Sequence, residues 1–459
     1  MTPRDLALAA LNRTDDSPGF LERYVENSFE RDPGLDERDR AFVVHLVQGV
    51  LRWRIRLDWI IGQKVRFSFD KIEPAILNIL RLALYQIYFM DRVPDRAAVD
   101  EAVKEAGGLR NRHVSGFVNG ILRHICRERE GIPFPDPMAD RDRYLSVYYS
   151  YPLWLVRKWL REVGPQATER LLDAGNQLPD RIIRVNTLRI DRAGLISRLE
   201  NEGVSVSPCT YSPDGLRMEN WRGPVIRLQT FAEGLFQVQG EAAQIASRLM
   251  DPHEGDRVLD VCAGLGGKTT HLAALMKNRG RVVAIDRQRS RLTCLSESAG
   301  RLGAHSIFPV VADAAGPLSA LIRSSFDSIL VDGPCSGLGV ISRHPDIKLT
   351  KGKDDIQRLA RLQRAILNQA IHLLKPGGRL LYTTCTISRE ENEDVVEAFL
   401  RENRGIVQEG LRKVVPGWAT GLIDDNGFFR TFPHVHGMEG FFGALFRKSN
   451  AQVPVGGRQ

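Results

Sequence analysis

The sequence predicts a multidomain chain with an all-α N-terminal part, a small α+β unit and a C-terminal doubly wound α/β domain. Three observations predict it. Apolar residues recur at helical spacing through 1–130, three prolines crowd into Gly131–Pro137, and from Gln237 onward strand, loop and helix patterns alternate. With 459 residues, 43% hydrophobic and 26% charged, the chain can build two or three soluble domains with ample core.

Ala41–Leu51 follows an acidic, Pro/Gly-containing loop and carries apolar residues at helical spacing. Ile76, Ile79, Leu80, Ala83, Leu84 and Ile87 form a second stripe, started by Glu73-Pro74. Val114–Ile125 forms a third. Read from composition alone, these helices could equally be a packing module. After the proline cluster, one helical segment is expected over about 153–174, and Arg181–Leu188 alternates like a strand. Domain boundaries are expected at 1–130, 131–235 and 236–448, with a disordered tail over 449–459. Strands are expected at Val258–Cys262, Val282–Asp286, Ile307–Asp313, Phe326–Asp332 and Arg379–Cys385. Gly427–Phe432 and Gly440–Phe446 read as a closing pair.

The formal net charge is +8, and most of the excess falls after residue 235, which suggests a polyanionic partner for the C-terminal domain. The six cysteines contain no C-x-x-C pair and read as reduced thiols, not a disulfide or zinc framework. No metal is expected. The N-terminus lacks a signal-peptide stretch and no run approaches a membrane span, so a cytoplasmic location is expected.

Asp260–Thr270 leaves the first strand of the α/β domain and enters a helix. A phosphate-binding P-loop needs Gly six positions before Lys268, where this chain has Cys262. A dinucleotide fingerprint starting at Gly264 needs Gly at position 269, where it has Thr269. What remains is a loop that curls around an adenosine-type cofactor without a pyrophosphate. Cys262, Ala263, Gly264, Leu265, Gly266, Gly267 and Lys268 would line it. Asp286 at the second strand end would take the ribose hydroxyls, and Asp313 at the third would reach the adenine amino group. With Asp332 at the fourth, this is the pattern of class I S-adenosylmethionine enzymes, although a single such acid is commonly only a helix cap.

Cys335 in Asp332-Gly-Pro-Cys-Ser-Gly and Cys385 in Tyr382-Thr-Thr-Cys-Thr each follow an apolar strand. Ligands bind outside the carboxyl ends of strands in open α/β sheets, so both thiols would face one crevice. A lone cysteine is usually a small buried hydrophobe, but here the strand-end setting and the acid three residues before Cys335 favour chemistry. The fourth strand lacks the aromatic that adenine-N6 methylases place after Asp/Asn-Pro-Pro. A cysteine suits cytosine C5, a carbon that becomes nucleophilic only when a thiolate adds to C6.

Asp260–His271, Asp332–Gly339, Arg343–Lys348 and Tyr382–Thr386 followed by Glu390-Glu-Asn-Glu393 resemble the RNA 5-methylcytosine methyltransferase family. The resemblance implies Cys385 as the nucleophile, Cys335 as the release group and Asp332 as a contact to the cytosine ring bordering the methyl donor. Leu82–Tyr88, Ala97–Val103 and Gly116–Arg123 resemble the NusB-like RNA-binding domain. Asn176–Pro179 with Arg184–Thr187 resembles a small ferredoxin-like unit. Together they imply a class I methyltransferase acting on 16S ribosomal RNA, of the cytosine-967 type, with S-adenosylmethionine as donor and as a monomer. The same chemistry on transfer RNA, or a noncatalytic RNA-binding assembly factor, are the competing readings.

Three departures from the family pattern stand out. Gly264-Leu265 replaces the usual Ala-Pro, which should loosen the free loop and bears on cofactor affinity more than on cofactor identity. Gly333 replaces an Ala, and Gly240 stands where Asp is common, which should weaken a hydrogen bond near the site entrance. For RNA, the segment after the release cysteine offers Arg343, His344, Lys348, Lys351 and Lys353 as phosphate contacts. In the helix that follows, Leu359, Leu362, Ile366, Ala370 and Leu373 form the buried stripe and Arg358, Arg361 and Arg364 face outward.

Overall fold

A computed structural model describes residues 2–16, 35–109, 113–221, 223–323, 325–413 and 415–450, with backbone only for 14–16. The disordered tail expected over 449–459 lies almost wholly outside the described residues. The chain forms two compact units, Met1–Gln177 with Ile341–Thr350, and Leu178–Val340 with Lys351–Gln459.

The first unit is helical. The expected helices lie within Glu37–Gly62, Pro74–Phe89 and His113–Arg127, and Pro74 stands in the first turn after Glu73 as its start signal required. One apolar core runs through them, with Leu46, Val50, Leu80, Leu84, Val118 and Leu122 fully buried. Gly49 permits the closest approach, since a Cβ there would fall 1.9 Å from Tyr85 Cζ. The helices Arg141–Tyr148, Leu153–Val163 and Pro165–Ala174 group with the N-terminal ones, and the unit ends at Gln177. The single helix expected over 153–174 is two, because Gly164 (φ 77°) stops the first and Pro165 starts the second.

The segment Ile341–Thr350 returns to this unit from far along the chain. Leu349 packs against the helical core, and Arg52 Nη2 donates to Ser342 O at 2.5 Å. Lys348 is 2% exposed and donates to Arg52 O at 2.7 Å and Asn176 Oδ1 at 2.9 Å, with its ammonium 4.0 Å from the Tyr151 ring centre. Burial, helped by Arg52, pushes its pKa well below the ordinary lysine value. Lys348 is therefore a buried structural residue, and the expectation that it meets phosphate is corrected.

The second unit contains two sheets. The small one comprises β1 (Arg181–Val185), β2 (Val206–Pro208), β3 (Gly215–Met218) and β4 (Phe236–Val238), antiparallel in the order β2-β3-β1-β4. The large one comprises β5 (Arg257–Val261), β6 (Arg281–Asp286), β7 (Ile307–Val311), β8 (Phe326–Asp332), β9 (Leu374–Thr384), β10 (Ile406–Glu409), β11 (Phe429–Arg430) and β12 (Phe442–Lys448). Its order is β10-β12-β9-β8-β5-β6-β7, and β11 pairs with β12. Strands β5 to β9 are parallel and β12 runs antiparallel to β9, β10 and β11. Residues 258–261 of β5, 328–331 of β8 and the last five residues of β9 are buried on both faces. Strand β7 stops at Val311, two residues short of the expected end, so Asp313 lies in an exposed turn with its Oδ1 accepting from Ala315 N. The chain winds from β5 outward to β7 and then crosses back to β8 beside β5. That reversal opens a crevice at the carboxyl ends of β5 and β8.

Candidate active site

The loop after β5 supplies one wall of the crevice. Cys262 adopts φ 67°, an uncommon left-handed conformation for a side chain with a Cβ, and Ala263 N donates to Ile285 O at 2.8 Å. Gly264 (φ 59°) and Gly266 (φ 83°) follow in the same region. The glycine that replaces the family's usual alanine is thus suited to the conformation it holds, and Leu265 stands 63% exposed at the rim. Gly266 also has no room for a Cβ, which would lie 2.5 Å from Leu295 Cγ. Asp286, buried at the end of β6, accepts from Gly264 N at 3.0 Å and Gln288 N at 2.8 Å, so its carboxylate sets the loop's curl.

Behind the loop, the small sheet holds the helix Gly267–Leu275 in place. Fully buried Arg184 donates to Gly267 O at 2.6 Å, to Thr270 Oγ1 at 3.1 Å and to Gln239 Oε1. Burial lowers its pKa to about 9. On the same helix His271 meets Asp214 at 3.0 Å, and Arg248 grips that carboxylate with two nitrogens at 2.5 and 2.7 Å. Burial and Arg184 push His271 down to about 4, so it is neutral at pH 7. Burial opposes charge on Asp214, yet His271 and Arg248 hold its pKa far below the usual carboxylate range. Arg184 and His271 fall within sequence motifs that gave them no role, and Asp214, in Tyr211-Ser-Pro-Asp-Gly215, carried no signal.

The strand ends of β8 and β9 bring the two thiols together. Asp332 pairs with Thr383 across the parallel ladder, and Cys335 Sγ lies 3.2 Å from Cys385 Sγ. Lys268 Nζ donates to Asp332 Oδ2 at 2.6 Å, Thr383 Oγ1 donates to Asp332 Oδ1 at 3.2 Å, and the ammonium stands 5.1 Å from the Phe441 ring centre. Burial opposes the charge on Lys268, but Asp332 outweighs it and its pKa rises. Lys268 therefore belongs with Asp332 and the thiols as much as with the loop after β5.

The two thiols differ. Hydrogen bonding from Cys335 lowers the Cys385 pKa, against burial and Asp332 and with help from Lys268. The same contact, with burial and the neighbouring Glu391, pushes Cys335 well above the ordinary thiol value. The contact thus favours an anion on Cys385 over one on Cys335.

Several buried groups around the crevice retain polar atoms with no hydrogen-bond partner among the described residues, among them Asp260 Oδ1, whose other oxygen accepts from Thr269 Oγ1 at 2.6 Å, and Gln239 Nε2. Burial pushes Asp260 up to about 7. Gly240 leaves its side-chain space to the Glu439 carboxylate, which a Cβ there would meet at 2.1 Å. Glu439 thus supplies an acid at the place where glycine was expected to cost one. At Gly333 a Cβ would lie 3.1 Å from Tyr382 and 3.2 Å from Gln363, tight but close to ordinary contact.

Of the expected RNA contacts, Lys351 and Lys353 belong to this unit and are half-buried and exposed. Arg343 and His344 lie on the segment that joins the helical unit and are half-buried. Arg358, Arg361 and Arg364 are exposed as expected, with Arg358 paired to Asp355 and Arg364 to Glu402. Leu362 is only partly covered, and Gln363 takes a fully buried place in the stripe. No described helix is long and apolar enough to cross a membrane. Among the described residues no group of three His, Cys, Asp or Glu side chains is arranged to hold a metal ion.

Three family models match the chain: the 16S rRNA methyltransferase RsmB/F over 247–447, the NusB family over 1–127, and the RsmF/B-like ferredoxin-like domain over 151–223. A relative from Bacillus subtilis (strain 168), a probable ribosomal RNA small subunit methyltransferase B, is 35% identical over 97% of this chain and 98% of its own length. The ribosomal RNA small subunit methyltransferase B of Pseudomonas putida is 36% identical over 88% of this chain and 90% of its own. The crystal structure of PH0851 matches with a TM-score of 0.80 at 28% identity, covering 98% of this chain and 99% of that one. NSun6 from Pyrococcus horikoshii with SFG matches with a TM-score of 0.57 at 25% identity, covering 64% and 97%. With the NusB domain, the ferredoxin-like domain and the Rossmann-like catalytic sheet in one continuous chain, this protein is a methyltransferase of the RsmB/F family.

Proposed function

We propose that this enzyme methylates C5 of a cytosine in 16S ribosomal RNA, of the position-967 type, using S-adenosylmethionine. The observation that carries the reading is the thiol pair at 3.2 Å, at the ends of adjacent parallel strands, with the lower pKa on Cys385. The relatives named above as small subunit rRNA methyltransferases support the RNA class.

Cytosine C5 gains nucleophilic character only after addition at C6. Cys385 adds there as thiolate and C5 takes the methyl group. With Cys385 bound as a thioether, Cys335 gives its proton to solvent and, as thiolate 3.2 Å from that sulfur, takes the C5 proton while the C6–S bond breaks and Cys385 leaves as thiolate. Lys268 and Asp332, already paired, orient on the ring and offset the charge that develops as the thiolate is consumed. The target base must be unstacked to reach Cys385. Arg343, His344, Lys351 and Lys353 are the proposed phosphate contacts.

The loop fits the donor. Its left-handed residues bare the backbone, Asp286 stands at the β6 end, and the orphaned Asp260 and Gln239 atoms offer an acceptor and a donor. Residues 262–268, Asp286, Asp313 and Asp332 would hold S-adenosylmethionine, which when bound supplies an electrophilic methyl group. The test is tritiated methyl transfer into 16S rRNA and transfer RNA transcripts, with digestion to nucleosides. Labelled 5-methylcytidine in the ribosomal transcript alone is expected. Label in transfer RNA alone moves the substrate, and no label in any RNA favours an assembly factor.

A further inference from the structure

The structure assigns Glu391 as the positioning residue that staples the two thiol loops together. Its side chain is 0% exposed, and it reaches both loops at once. Oε1 accepts from Ser336 N at 2.8 Å and from Gln363 Nε2 at 3.2 Å. Oε2 accepts from Ser336 Oγ and from Thr386 Oγ1 at 3.3 Å. Ser336 follows Cys335 and Thr386 follows Cys385, and their hydroxyls also meet at 2.9 Å. One carboxylate thus holds the residue next to each sulfur.

The rest of the segment reinforces the joint. Tyr382 on β9 donates its hydroxyl to Glu391 O at 2.6 Å, and Gln363 also donates to Pro334 O at 2.9 Å, immediately before Cys335. The next residue, Asn392, accepts from Thr384 Oγ1 at 2.6 Å and donates to Thr386 O at 3.0 Å, on either side of Cys385. Neither sulfur sits on a ladder, since Cys335 and Cys385 lie past the last paired residues of their strands, Asp332 and Thr384. A buried carboxylate is costly unless fully hydrogen-bonded, and here each partner belongs to the thiol loops or to the helix behind them. A residue serving the fold alone would not need to divide its oxygens between two loops whose shared feature is a sulfur contact.

The assignment rests on the thiol chemistry proposed above, and its test reads sulfur proximity without RNA. Diamide removes two electrons and two protons from a thiol pair in contact, giving a disulfide and the hydrazine. The wild-type enzyme should form the Cys335–Cys385 bridge readily, counted by mass spectrometry after alkylating the remaining thiols. Glu391→Ala, shown folded by its melting curve, should bridge about tenfold more slowly. Glu391→Gln, which keeps two acceptor sites and can donate to both hydroxyls, should recover at least about a third of the wild-type rate. A folded Glu391→Ala that bridges at the wild-type rate overturns the assignment, as does a glutamine variant no better than alanine. Should the alanine variant not fold, Thr386→Val removes one arm of the staple and must slow bridging, and an unchanged rate there is equally fatal. If the wild type bridges but transfers no methyl group to any RNA, the functional reading fails and the staple stands.

Discussion

Lys268 reaches from the cofactor loop to Asp332 at the end of β8, closing a 2.6 Å ion pair beside the two sulfurs. The pair ties two walls of the crevice together and puts a cation where it stabilises a thiolate on Cys385. Lys268→Met should therefore raise the pH midpoint for alkylation of Cys385 by iodoacetamide and lower methyl transfer on the order of a hundredfold. An unmoved alkylation midpoint would remove Lys268 from the electrostatics of the site.

The two cysteines should fail differently. Cys385→Ala should abolish both methyl transfer and covalent RNA capture. Cys335→Ala should still attack through Cys385 and then stall, leaving a protein–RNA adduct that survives denaturing electrophoresis. An adduct with Cys385→Ala and none with Cys335→Ala would exchange the roles.

On the proposed attack by the Cys385 thiolate, activity should rise with pH through the Cys385 pKa. Since Cys335 and Lys268 lower that pKa, the acid limb of kcat/KM should lie below the ordinary thiol range. Profiles against saturating donor test this, and a limb at or above the free-thiol value contradicts it.

Acid should also loosen the support behind the cofactor loop. His271 is depressed to about 4 against an ordinary 6.5, so the unfolded chain binds the extra proton first as pH falls. Its contribution is intact above about 6.5 and is progressively lost down to about 4, a span worth about 3 kcal/mol. The melting temperature should fall between pH 7 and 4.5, and His271→Gln should flatten much of that slope.

Arg184→Ala should destabilise the second unit by about 3 kcal/mol, because Gly267 O and Gln239 would lose a buried charged donor. Donor affinity should fall with it. Differential scanning calorimetry and fluorescence titration with S-adenosylhomocysteine check the two effects, and an unchanged affinity would uncouple Arg184 from the loop.

Much of this arrangement is legible in the residues. Strand ends are marked by apolar runs closing on an acid or a cysteine, and the fold's topology carries such residues to one edge, so Asp286, Asp332, Cys335 and Cys385 can be read from pattern. Asp313 departs from its expected strand end by two residues because the apolar run through Val310-Val311 continues into Ala312, while the ladder stops earlier. The Glu391 contacts are not legible. Its motif is visible, but which of its partners lie across a loop depends on tertiary approach between residues 55 apart. Lys348 shows the opposite failure. A lysine among cations reads as solvent-facing, and only the fold reveals a slot lined by a carbonyl, an amide and a ring.

The slot for Lys348 makes the helical unit discontinuous, and this has a consequence for biosynthesis. When residue 177 has left the ribosome, the carbonyl of Arg52 and the amide of Asn176 still await the Lys348 donor, and Leu349 has not yet covered its part of the core. The missing piece emerges only after the whole stretch 178–340 has been translated, on the order of ten to thirty seconds later. Through that interval the N-terminal helices lack the contacts that Lys348 and Leu349 supply. A gene fragment ending near 177 would make that waiting state permanent, whereas supplying 341–350 as a peptide in trans should let it close.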